Sequence, residues 1–174
     1  ISAQLDLFKA PALPEVAEEV SDAVARVVES ARANYDLIIA DTGQFWSGLT
    51  GELLCNSELV LLVMDQRRAS AYGAIKALEL CQGLGIPLAR IAHVLNRDSG
   101  IPRSEIERIE DSLGCDELFR LADGKASVEA LVGMRRIEEL IEDAAAPVPD
   151  VEQLLASLPP RIGVEFSPTE RRKT

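Results

Sequence analysis

Apolar residues in this chain fall into two rhythms that alternate along its length. From Glu15 to Asn34, Val16, Val20, Val24, Val27 and Val28 recur at helical spacing with acids between them, which predicts an amphipathic helix. Leu37-Ile38-Ile39-Ala40 is then a short unbroken apolar run, predicted as a strand that ends in Asp41-Thr42-Gly43. Leu49 to Asn56 reads as a helix. Leu59 to Met64 is the strongest strand pattern in the chain, and Ser70 to Gly83 is helical, closing at Gly83 or Gly85. Ile91 to Leu95 is a strand ending at Asn96-Arg97. Ser104 to Leu113 is a helix, with Ser104 and Glu107 spaced as in a capping box. A short strand over Glu117 to Leu121 and a helix over Ser127 to Ala144 follow, and Leu5 to Phe8 is a further short strand, stopped by Pro11 and Pro14.

Strands alternating with helices of ten or more residues define βαβ units. The expected fold is therefore α/β: a parallel β-sheet with helices on both faces, in three layers. The domain is expected over residues 1–146. Beyond it, Pro147, Pro149, Pro159, Pro160 and Pro168 break the pattern, so 147–174 reads as a partly disordered tail with one helical run near Val151 to Leu158.

Composition refines this picture. Of the 174 residues 47% are hydrophobic but only 4% aromatic, so the core is aliphatic, as buried parallel strands require. The net charge of −11 opposes binding along a nucleic-acid backbone, and no direct nucleic-acid contact is expected. Arg67-Arg68, Arg135-Arg136 and Arg171-Arg172-Lys173 read as solvated charge. Cys55, Cys81 and Cys115 fit no metal or redox spacing and read as reduced cytosolic thiols. No apolar run reaches the ~18 residues of a membrane span.

In an open parallel sheet, ligands sit outside the carboxyl ends of the strands. The predicted ends here are Asp41-Thr42-Gly43, Asp65-Gln66-Arg67, Asn96-Arg97 and Ala122-Asp123-Gly124, each carrying polar groups. An apolar strand ending in Asp41 has the form of a Walker B element, whose carboxylate holds Mg²⁺, often through water; an Asp after a strand also simply caps a turn. The carboxamide of Asn96 can read a purine edge or close an Asx-turn. Asp123-Gly124 is a turn pattern before it is a ligand contact. His93 is the only histidine, so chemistry needing a histidine pair is excluded; it lies inside a predicted strand and is expected in the core or on a sheet face. Phe45 and Trp46 read as a local packing anchor or an exposed contact. No G-x-x-x-x-G-K-[ST] loop occurs, so the backbone nest for β- and γ-phosphates is missing from these residues.

The order of these motifs resembles a known family. Tyr35-Asp36-Leu37-Ile38-Ile39-Ala40-Asp41-Thr42-Gly43 resembles the Walker B strand of the ParA/MinD ATPases. Glu58 to Ala77 is similar to the family's next strand and helix, with Asp65-Gln66-Arg67-Arg68-Ala69-Ser70 in place of the usual Thr-x-Pro-Glu start. Leu84-Gly85-Ile86-Pro87 through His93-Val94-Leu95-Asn96-Arg97 and the helix of Ile101 to Gly114 look like the CpaE/TadZ pilus-assembly branch. Leu121 to Ala130 resembles the loop and helix that follow. The resemblance spans roughly residues 5–145. It implies an ATPase that binds ATP and Mg²⁺, dimerises on the nucleotide, and positions a pilus, secretion or polar machine through protein partners. It would work in the cytoplasm, or peripherally at the inner membrane or cell pole. By the same resemblance Asp41 stands near Mg²⁺, through water, Asn96 contacts the adenine, Arg97 belongs to the nucleotide site, and Leu121, Ala122 and Asp123 line the base. The family's first strand and phosphate loop would then lie ahead of Ile1. The alternative is a scaffold or protein-binding module that keeps the fold without hydrolysis. A tyrosine-kinase-like domain shares the strand at 37–40 but not the continuation from Asn96 to Ile141.

Overall fold

The computed structural model describes residues 6–8, 24–44, 46–134 and 136–158. The chain divides into two compact units, Ile1–Asn56 and Ser57–Thr174.

In the first unit, helix α1 (Val24–Arg32) packs against helix α2 (Gly48–Asn56). The Ser47 hydroxyl accepts from the Thr50 N–H at 3.2 Å and so caps α2. The Arg32 guanidinium donates to the Asn56 carbonyl. Residues 15–23 of the expected first helix, with Val16 and Val20, lie outside the described residues, as do Leu5 and Phe45. Asp6 to Phe8 form no strand. The Tyr35 hydroxyl donates to Asp6 at 2.8 Å, and the Phe8 and Tyr35 rings meet edge to face with centroids 6.3 Å apart. That hydrogen bond, then burial, then the Asp6 charge raise the Tyr35 hydroxyl above its ordinary pKa.

The expected strand at 37–40 does not form. Leu37, Ile38 and Ile39 are exposed and follow no ladder. Their sequence is strand-like, but a strand is made by its neighbours: with no partner supplying N–H and C=O groups, an apolar run keeps its backbone in water.

The second unit holds a parallel three-stranded sheet and is α/β. Strand β1 (Val60–Met64) leads through helix α3 (Arg68–Gly83) and a 3₁₀ turn (Leu88–Arg90) to β2 (Ile91–Asp98). Helix α4 (Arg103–Leu113) then leads to β3 (Leu118–Ala122). The spatial order is β1-β2-β3. Registers run Val60↔Ile91 to Met64↔Leu95, and His93↔Leu118 to Leu95↔Arg120. Because each crossover adds a strand on the same side, right-handed crossovers put α3 and α4 on one face, and the two helices pack together there. Ala74, Ala77, Leu78 and Cys81 of α3, and Ile106, Ile109 and Leu113 of α4, are their buried stripes. Gly85 closes α3. At φ +76° it adopts the left-handed turn that lets the Ile86 N–H reach back to the Cys81 carbonyl at 2.9 Å.

The helix expected over Ser127 to Ala144 is two, α5 (Lys125–Gly133) and α6 (Ile137–Glu142). Gly133 weakens the helix at the join. Arg136 leaves helical geometry at φ −107°, ψ 44°, and its N–H turns back to the Leu131 carbonyl at 2.8 Å. The capping box at Ser104 and Glu107 is also not built. Pro102, with φ −59°, precedes the first turn, and Glu107 accepts from Arg103 Nε at 3.1 Å instead.

The region read as a tail contributes to the core. Helix α7 (Val148–Ser157) packs on β3. Its Leu154, together with Leu158, closes over Val94, with Leu59, Phe119 and Leu121 around them. Val94 and Phe119 are register partners, so α7 covers the sheet face opposite α3 and α4 and completes three layers. On that same face Leu61 and Val63 of β1 remain 41% and 55% exposed. Residues 159–174 lie outside the described residues.

Candidate functional site

The carboxyl ends of β1, β2 and β3 converge within the second unit, and most of the sequence-predicted site residues stand there. Pairing of β2 with β3 slips beyond Leu95↔Arg120: the next partners are Asp98↔Ala122, so β2 carries one extra residue. Such a bulge bends a strand and re-aims its side chains. It contains Asn96 and Arg97. Arg97 takes φ +56°, and the half-buried Asn96 side-chain oxygen accepts from the Arg97 N–H at 2.9 Å. A left-handed non-glycine residue costs about 1–3 kcal/mol and persists only where its surroundings over-determine it.

Asp98 supplies much of that determination. Its Oδ1 accepts the N–H groups of Gly100 at 2.9 Å and Ile101 at 3.2 Å. Its Oδ2 accepts from Arg120 Nε at 2.6 Å, and the Asp98 side chain is only 7% exposed. Burial is the largest single influence on this carboxyl and opposes its ionisation. The two backbone N–H groups and Arg120 together outweigh it and hold the pKa below the ordinary value. The backbone continues the link, with the Asp123 N–H donating to the Asp98 carbonyl at 3.0 Å.

At the end of β3 the sequence-predicted residues divide by role. Leu121 packs into the Val94 cluster. The Ala122 N–H donates to Asp150 of α7 at 2.8 Å. Asp123 is half-buried, and its Oδ1 accepts from the Lys125 N–H at 3.0 Å, fastening the turn into α5. Lys125 itself takes φ +54°. At Gly124 a Cβ would lie 2.8 Å from the Ala146 carbonyl oxygen and 2.0 Å from a Val128 methyl, so close approach fixes glycine there. A cleft of about 370 Å³ beside this edge is lined by Asp98, Glu117, Phe119, Arg120 and Asp150 among others.

The end of β1 is tied to the end of β2 by side chains. Asp65 accepts from the Arg67 N–H at 2.9 Å and Arg67 Nε at 2.7 Å; the guanidinium bond leads in holding this carboxyl below its usual pKa. The Asp65 N–H donates to Ser70 Oγ at 3.0 Å. Gln66 Oε1 accepts from both Ser99 Oγ at 3.0 Å and the Ser99 N–H at 3.3 Å.

Asp41 is positioned differently from the expectation. It follows no strand, is exposed, and belongs to the first unit, where it accepts from the Gly43 N–H at 3.2 Å and closes a turn. His93 is 6% exposed in β2, within the core as expected. Sequence reasoning missed Asp98, Arg120, Asp150 and Ser99. A charge inside an otherwise apolar strand signalled Arg120. Asp150 lay in the stretch read as a tail, and the strand-end position of Gln66 did not reveal Ser99 as its partner.

Fold and site together place the second unit in the class of open parallel α/β sheets with a polar, conformationally constrained carboxyl edge. No family model, curated protein or solved structure matches the chain. Among the described residues no helix is long and apolar enough to cross a membrane.

Proposed function

We propose that this chain is part of a ParA/MinD-like nucleotide-switch ATPase that positions a cellular machine, such as a pilus or secretion apparatus, through ATP-dependent dimerisation. The observation that carries the reading is the bulge at the carboxyl end of β2. It holds the half-buried Asn96 two residues ahead of Asp98, which pairs with Ala122, at the edge where parallel sheets take ligands. In this reading Asn96 contacts the adenine, the 121–123 turn lines the base, and Arg97 belongs to the nucleotide site. ATP and Mg²⁺ are the cofactors, and the partners are a second copy and proteins of the positioned machine. With no glycine-rich Lys-Ser/Thr loop in these residues, the phosphates depend on groups beyond them.

Calorimetric titration of ATP with Mg²⁺ into the protein expressed from its full coding sequence tests the reading. Saturable binding is expected, weakened about three- to ten-fold by Asn96→Ala, the worth of one net hydrogen bond. Absence of binding, or indifference to Asn96→Ala, would sink it. The catalytic half requires a strand followed by a phosphate loop, and the full coding sequence of the gene tests it.

A second reading is a non-hydrolysing scaffold or protein-binding module. It is favoured by Asp41, which follows no strand and is engaged in a turn of its own. Binding of protein partners with no response to ATP would support it.

A further inference from the structure

We infer that Gln66 is a positioning residue: a side-chain clasp that ties the loop after β1 to the loop after β2 and so holds the Asn96-Arg97 bulge in place. The β1–β2 register runs to Met64↔Leu95, and past it the two loops diverge into a turn over 65–67 and the bulge at 96–97. Gln66 bridges that gap. One oxygen, Oε1, accepts both the hydroxyl (3.0 Å) and the backbone N–H (3.3 Å) of Ser99. The two ends of the clasp are anchored independently. On one side Asp65 accepts the Arg67 N–H and guanidinium, and its own N–H is held by Ser70 in the first turn of α3. On the other, Asp98, adjacent to Ser99, is fixed by the Gly100 and Ile101 N–H groups and by Arg120. Only two residues separate Ser99 from Asn96, and Arg97 between them is held at φ +56°. Loss of the clasp frees Ser99 to move, and the strained bulge relaxes with it.

The chemistry requires an acceptor at position 66. Both Ser99 groups donate, so a carboxylate can replace the amide oxygen, whereas a methyl cannot. This gives a test with an internal control. Amide exchange across residues 96–101 is followed in the whole chain and in Gln66→Ala and Gln66→Glu. Faster exchange at Ser99 and in the bulge is expected for Gln66→Ala, by about three- to ten-fold for one net hydrogen bond. Gln66→Glu at neutral pH restores wild-type exchange. Unchanged exchange in Gln66→Ala overturns the clasp. So does a Gln66→Glu protein that exchanges like Gln66→Ala, because a mere packing role would not sort variants by acceptor capacity.

The ligand arm rests on the nucleotide reading. Titrated with ATP and Mg²⁺, Gln66→Ala is expected to bind more weakly than wild type and Gln66→Glu to match it. Equal affinities in all three overturn the positioning role. If wild type binds no ATP, the nucleotide reading fails by itself, and the exchange arm still decides the clasp.

Discussion

Truncating Leu154 to alanine asks whether α7 belongs to the sheet or merely trails from it. Leu154 is 6% exposed and closes, with Leu158, over Val94 at the centre of β2. Removing three carbon atoms forfeits about 2.4 kcal/mol of transfer free energy at ~0.8 kcal/mol per carbon. A cavity adds to that loss. Leu→Ala changes in buried sites span about 2–5 kcal/mol, and a lone helix on the outside of a sheet can settle inward, which favours the low end. The expectation is therefore about 2–3 kcal/mol. Its neighbour Leu155 has the same chemistry but is 43% exposed, so Leu155→Ala should stay near the ~0.5 kcal/mol of a surface change. Hydrogen exchange at the β2 amides from Ile91 to Leu95 reports on this unit alone. At tenfold per ~1.4 kcal/mol, 2–3 kcal/mol becomes roughly 30- to 150-fold faster exchange through global opening. If Leu154→Ala and Leu155→Ala accelerate these amides alike, α7 does not hold the sheet and the three-layer account is wrong.

Two further expectations follow from the strand-end geometry. Gly124→Ala should destabilise the second unit by about 1–3 kcal/mol, because the Ala146 carbonyl is backbone and cannot rotate aside as the Val128 methyl can; a thermal midpoint equal to wild type would show that the 144–147 turn yields freely. Asp98 has a depressed pKa in the folded chain, so its contribution to stability is complete above the unfolded value near pH 4 and is lost as pH falls through the folded one. Melts between pH 6 and 2 should therefore show an acid limb that is shallower in Asp98→Asn; an identical limb would assign the acid loss to other carboxylates.

Much of the second unit was legible in advance because its signals are local. The unbroken run at Leu59 to Met64, the run at Ile91 to Leu95 and the helical stripes of α3 and α4 each specify an element within a few residues. Their alternation then leaves a parallel sheet as the consistent arrangement. The position of Asn96 and Asp123 at neighbouring strand ends follows from the same logic. What failed were inferences that depended on partners. Leu37 to Ala40 has the composition of a strand but no ladder, so it remains exposed chain and Asp41 closes a turn. The prolines at 147 and 149 suggested a tail, yet Pro149 sits in the first turn of α7, where a missing N–H costs nothing.

The sequence by itself determined the three strands of the second unit and the two helices between them, the aliphatic core and the chemistry available at the strand ends. Hydrophobic period and turn residues act over one or two turns of chain, and those can be read in order. Only the tertiary structure decided that Asp98 reaches Arg120, 22 residues away, that Gln66 reaches Ser99, 33 residues away, and that Asp150 returns to the end of β3. These bonds form between residues whose separation in sequence carries no period, and they exist because parallel pairing brings the carboxyl ends of successive strands side by side.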